Sequence, residues 1–177
     1  VSAWRGGEVR RARRAAVDRL AALDLPPGCD VAGLCAHLGR RSGRTIQMVP
    51  MSLRGTGVYG MWLRFDVADL VAYEANTSKL HQDHIIAHEL AHMICDHRGE
   101  TLDPRTLFPD LDQGLVRDML ARAGFTDQQE LEAEVMATVI LERTIRRPAA
   151  PAASVPPELA DVVARIERSL NPRPDRQ

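Results

Sequence analysis

Apolar residues recur at helical spacing from Glu8 to Leu23, with Val9, Ala12, Ala16, Leu20 and Leu23 on one side. Arg10, Arg11, Arg13, Arg14 and Arg19 take the remaining positions, as on a solvated helix face. Leu25-Pro26-Pro27-Gly28 breaks the pattern, and Asp30 caps a second helix, so that the two helices span 8–41. After the Ser42-Gly43 turn the chain favours strands. Thr45 to Val49, Gly57 to Phe65 and Leu70 to Tyr73 predict three, the last two forming a hairpin near Asp66. Asn76-Thr77-Ser78 offers a cap for a helix over 79–96. A loop with Pro104, Phe108 and Pro109 precedes a helix from about Leu111 to Ala123; Gly124 ends it, and a further helix spans 127–146.

These elements predict an α+β chain. A mainly helical domain over 1–147 carries a small three-stranded sheet over 44–73, packed on the 79–96 helix. Pro148 to Pro157 reads as a Pro/Ala linker, and 158–177 as an amphipathic helix and tail, with Leu159, Val162, Val163, Ile166 and Leu170 on the apolar stripe. Packing of that helix on its own domain and docking to a partner are both open at this level.

At 177 residues the chain is long enough for one domain with a substantial core. A net charge of −1 selects neither nucleic acid nor membrane. Lys79 is the only lysine, an arginine bias expected of a GC-rich bacterial genome. No apolar run reaches membrane-spanning length, and Val1 to Arg14 lacks the apolar stretch of a signal peptide, so the expected compartment is the cytoplasm. Cys29, Cys35 and Cys95 cannot all pair and are expected as thiols filling small apolar sites.

The chemistry concentrates in His88-Glu89-Leu90-Ala91-His92. Residues four apart share a helix face, so His88 and His92 can hold one metal ion from a single rigid element. Glu89 is rotated about 100° from His88 and can reach a water at the ion without ligating it, as a general base. Ile86, Ala87, Leu90, Met93 and Ile94 form the opposite, core-facing side, while His81, His84, His88, His92 and Cys95 make a second stripe. His84 and His88 are also four apart, but Ile85 between them cannot act as a base. His97 is one residue short of the third histidine in the long His-Glu-x-x-His-x-x-Gly-x-x-His pattern, which disfavours a three-histidine site.

A catalytic zinc site with an open position needs a third ligand. On the 127–146 helix Glu130 is surrounded by Ala133, Ala137, Ile140, Leu141 and Ile145, with Glu134 about 40° away on the same face. Carboxylates on an apolar face need a cation or a donor. Glu130 is therefore read as the third ligand and Glu134 as the partner of a ligating histidine, with arginine pairing as the alternative. Glu132 falls on the opposite, polar side with Glu142, Arg143 and Arg146.

Together, His88-Glu89-Leu90-Ala91-His92 with nearby His97, and Glu130-Leu131-Glu132-Ala133-Glu134-Val135-Met136-Ala137, resemble the motifs of the ImmA/IrrE metallopeptidases over roughly Asp30 to Arg146. Glu134 stands where that family usually has Asn or Asp, and Met136 where Phe is usual. The resemblance implies a zincin-like fold, Zn2+ as cofactor, a third ligand at Glu130, and a helix-turn-helix transcriptional regulator as substrate or partner.

Two functional expectations follow. One is an active zinc endopeptidase in which Glu89 is the base and Tyr59, Tyr73, His81 or His84 stabilises the oxyanion or contacts substrate. The other is a non-catalytic metal-binding module that docks a transcription factor; an intact Glu89 favours the first. Direct DNA binding, hinted at by 30–46, is disfavoured because Ser42-Gly43 leads into a strand. Val58 to Trp62 is a candidate sheet edge to which an extended peptide could add, with Gly60 allowing close approach.

Overall fold

In this computed structural model, which describes residues 4–53, 57–65, 68–97, 101–102, 120–122, 125–144 and 161–166, the chain opens with helices α1 (Gly6–Ala21) and α2 (Val31–Ser42). α1 buries Ala12, Ala16 and Leu20, one stripe of its surface. α2 begins where Asp30 Oδ1 accepts the Gly33 N–H at 2.7 Å. It ends on Gly43, whose φ of 67° is the left-handed turn that glycine adopts without strain.

Three principal strands follow, β1 (Thr45–Met51), β2 (Gly60–Arg64) and β3 (Ala68–Glu74). β3 is the middle strand of these three, parallel to β1 and antiparallel to β2, and all its residues are buried. The short strands β4 (Thr101–Leu102) and β5 (Leu120–Arg122) extend the sheet in the order β1-β3-β2-β5-β4. The helix expected from about Leu111 to Ala123 is therefore corrected at 120–122. That segment pairs with Trp62–Arg64, because the open side of β2 offers backbone partners that outweigh local helical preference. The rest of that helix, apart from 120–122, lies outside the described residues, as do the loop residues Pro104, Phe108 and Pro109 and the 148–157 linker. Pairing with β5 takes Trp62 out of the candidate open edge at Val58 to Trp62. The strand is interior at Trp62–Arg64, and Gly60 and Met61 alone extend past the β5 register.

One sheet face, through Val71 and Tyr73, packs on α3 (Lys79–Ile94) at Ile85, Ile86, Ala87 and Leu90, backed by Ala133, Met136, Ala137 and Ile140 of α4 (Asp127–Thr144). The fully buried Ala133 and Ala137 let α4 come close to α3. The other face presents Val49, Met51, Leu63, Leu70 and Ala72 to Val163 and Ile166 of the helical segment 161–166. Val162, Val163 and Ile166 of the C-terminal apolar stripe thus pack on the chain's own sheet.

At the end of the sheet, buried Asp69 of β3 accepts from Arg44 Nε at 2.8 Å, Arg64 Nε at 2.9 Å and Trp62 Nε1 at 3.1 Å, tying β2 and β3 to the residue that leads into β1. The three cysteines are free; burial pushes the Cys35 thiol up to about 12, which leaves it inert. No helix among the described residues is long and apolar enough to cross a membrane.

Candidate metal centre

Ser78 caps α3, its hydroxyl accepting the His81 N–H at 3.3 Å, and so sets the phase of the helix. With that phase His88 and His92 project on one side, and their Nε2 atoms stand 3.1 Å apart. Glu130, in the first turn of α4, places Oε2 3.3 Å from His88 Nε2 and Oε1 3.9 Å from His92 Nε2. The three residues offer ligand atoms that all lie within 4.8 Å of one another. Ligand atoms about 2.0–2.1 Å from a tetrahedral zinc ion are about 3.3 Å from each other, so two imidazoles and a carboxylate at these separations fit such an ion and leave a fourth position open.

Glu130 and Glu134 face histidines. Glu134 Oε2 is 3.2 Å from His84 Nε2 and 3.5 Å from His88 Nδ1, so it lies against the nitrogen of His88 that points away from the triad. His84 is engaged by Glu134 in place of the rival pairing with His88. The charges at the centre follow from burial and these contacts. Burial alone would lower the His88 pKa, but Glu130 and Glu134, followed by Glu89, raise it to about 10. Three carboxyl groups thus surround the His88 ring and favour a positive charge there. Burial first, and then His88 and His97, lower His92 to about 3, so it stays neutral, the form that ligates. The contacts with His84 and His88 hold Glu134 well below the usual carboxylate range, against the opposing effect of burial.

Glu89 is 8% exposed. Burial is the main influence on its carboxyl and raises it to about 7; the His88 cation opposes the rise, Glu130 adds to it, and the Trp62 backbone N–H opposes it by donating to the carboxylate. A base poised near neutrality beside two candidate ligands is the arrangement proton transfer requires. The space Glu89 occupies is defined by Gly60. A Cβ added there would stand 2.4 Å from Ile85 Cγ2 and 2.9 Å from Glu89 Oε1. The close approach that Gly60 allows is therefore to α3.

The four candidate substrate contacts separate. Tyr59 is 63% exposed, with its ring 5.6 Å from that of His81. His81 Nδ1 lies 2.9 Å from Thr77 Oγ1, and His81 and His84 line a groove of about 430 Å³ with Leu80, Thr138 and Leu141. Tyr73 is buried in the core against α3.

Three features escape the sequence reading. The Phe125 ring stacks on His92 with centroids 3.7 Å apart and a 19° interplanar angle. His97 is buried, with Nδ1 3.0 Å from His92 Nδ1. Glu132, expected on a polar face away from the site, places Oε2 3.3 Å from His97 Nε2. A helical wheel of α4 cannot show this last contact, because the partner lies beyond the end of α3. No family profile, curated protein or solved structure matches this chain.

Proposed function

We propose that this chain is a zinc-dependent peptide hydrolase of the zincin-like, ImmA/IrrE type, acting in the cytoplasm on a helix-turn-helix regulator. The supporting observation is the convergence of His88 Nε2, His92 Nε2 and a Glu130 carboxylate within 4.8 Å, beside the buried carboxyl of Glu89. Zinc, when bound, supplies a Lewis acid that acidifies water and polarises a carbonyl. His88, His92 and Glu130 would hold it, and Glu134 would steady His88 through Nδ1. Glu89 takes the proton of the attacking water, with its carboxylate oriented by the Trp62 N–H, and passes it to the leaving amine. Tyr59, His81 and His84 are the candidates for binding substrate or stabilising the oxyanion. Tyr73 drops out of that role because it is buried.

The test uses the full chain with a purified helix-turn-helix regulator as candidate substrate, one encoded beside its gene if the neighbouring reading frame proves to be such a protein, with and without zinc. Zinc-dependent cleavage, abolished by chelator and restored by added zinc, is expected. A stable complex without cleavage would replace the hydrolase with a docking module. Failure to retain any zinc would remove both readings.

A further inference from the structure

Where α3 ends, the chain makes a left-handed turn. Asp96 has φ 51°, its N–H donates to the Met93 carbonyl at 3.2 Å, and the His97 N–H donates to the His92 carbonyl at 3.0 Å. These are the two bonds of a Schellman motif, which brings the second residue past the helix cap against the residue in its last turn. In most such motifs that contact is apolar. Here it joins two imidazoles, His97 and His92, both nearly inaccessible to solvent.

The proton inventory of these rings has one consistent solution when His92 ligates through Nε2. A neutral imidazole has one donor and one acceptor nitrogen. His92 then carries its proton on Nδ1 and donates it across 3.0 Å to His97 Nδ1. His97 must therefore carry its own proton on Nε2, which lies 3.3 Å from Glu132 Oε2. The other oxygen of Glu132 accepts from Gln128 Nε2 at 2.7 Å. Each of the three contacts from Gln128 to His92 then joins one donor to one acceptor.

Cys95, His97 and Glu132 also offer ligand atoms within 4.8 Å of one another, a second group that could hold an ion. The charge of Arg19 acts on both Cys95 and Glu132, which places a cation there. An ion on His97 Nε2 would moreover move the His97 proton to Nδ1, opposing two N–H donors at 3.0 Å. The two groups cannot both be filled with neutral imidazoles.

We infer that His97 and Glu132 are positioning residues that fix the tautomer and ring plane of His92, so that the chain holds one ion and not two. This rests on the proposed metal site. The test is titration of the full-length protein with Co2+ in place of zinc, reading stoichiometry, visible absorption and affinity against a competing chelator. One equivalent is expected for the wild type. His97→Phe keeps a ring but removes the acceptor, and should lower affinity about 10–100-fold and shift the absorption bands. His97→Asn, with an amide oxygen that can accept from His92, should recover part of both. Glu132→Gln, a change at a partly exposed site that folding tolerates, should give a smaller loss in the same direction. A wild type that binds one equivalent while Glu132→Gln and every folded His97 variant leave affinity and spectrum unchanged overturns the inference and spares the metal site. Two equivalents on the wild type also overturn it, and a wild type that binds no ion removes both.

Discussion

Gly60 lies against Glu89 so closely that no side chain fits between the sheet and α3: a Cβ there would stand 2.9 Å from Oε1. Gly60→Ala must push Ile85 or the Glu89 carboxylate aside. Overpacking of this kind costs about 1–3 kcal/mol. Because neither neighbour is a candidate ligand and one of them is the proposed base, hydrolysis should fall at least tenfold while zinc affinity stays within a few-fold. Thermal unfolding, zinc titration and turnover on one preparation measure all three. Equal losses of zinc and of turnover would show that the strand supports the ligands instead.

Glu89→Gln preserves volume and can still accept the Trp62 N–H, but an amide cannot take a proton. Zinc should be retained and cleavage should fall by about 10²–10⁴-fold. The base works only when ionised, so wild-type kcat/KM should be lost as pH falls through the pKa of Glu89. That pKa is about 7 in the metal-free protein, and a neighbouring dication lowers it, so the acid limb belongs below 7. An acid limb that persists unchanged in a residually active Glu89→Gln enzyme would assign it to another group.

What the sequence alone makes legible is what lies within one helix. His88, Glu89 and His92 are read from a four-residue spacing, and Glu130 from a carboxylate on an alanine-lined face. Each needs only helical phase. The contacts between elements are not legible in this way. Pairing of β5 with β2 depends on backbone groups left open by a distant hairpin. Contact between Glu132 and His97 spans 35 residues and depends on a turn at Asp96 that a non-glycine residue rarely makes. Phe125 over His92 likewise joins the entry of α4 to the last turn of α3. Helical periodicity therefore finds the residues that converge and misses what holds them in place.

Asp69 joins the strands on which Gly60 depends. It is 2% exposed and receives two guanidinium groups and an indole N–H. Asp69→Ala would leave Arg44 and Arg64 facing each other without their common anion. Breaking a buried pair costs about 3–5 kcal/mol; both guanidiniums reach solvent, so the lower end is expected. Chemical denaturation measures it. A loss below about 1 kcal/mol would mean that the pair is solvated and does not hold the sheet together.

Ile166 is fully buried against the sheet face opposite α3, among Val49, Met51, Leu63 and Leu70. Ile166→Ala should cost about 2–4 kcal/mol. Removing 149–177 should cost more, because it uncovers that whole apolar face. Unchanged stability after the truncation, with loss of association to a partner, would make the segment a docking helix.

The glutamates of α4 give the most demanding test of the site, because Glu130, Glu132 and Glu134 lie within two turns and each faces a different histidine atom. Glu130 reaches His88 Nε2 at 3.3 Å, on the side where the ligand atoms converge. Glu130→Ala leaves two imidazoles, and zinc affinity should fall by more than about 100-fold. Glu134 lies 3.5 Å from His88 Nδ1, one contact away from the ion. Its removal should cost about 10–100-fold, the usual effect of losing a group that orients a ligating histidine. Glu132 acts through His97 on His92, two contacts away, so Glu132→Ala should produce the smallest loss, yet a measurable one. The order Glu130, Glu134, Glu132 is read by competition with a chelator at fixed pH. A larger loss for Glu134→Ala than for Glu130→Ala would exchange the roles of ligand and support. No loss at all for Glu132→Ala would disconnect Glu132 from the site and leave His97 to orient His92 without it.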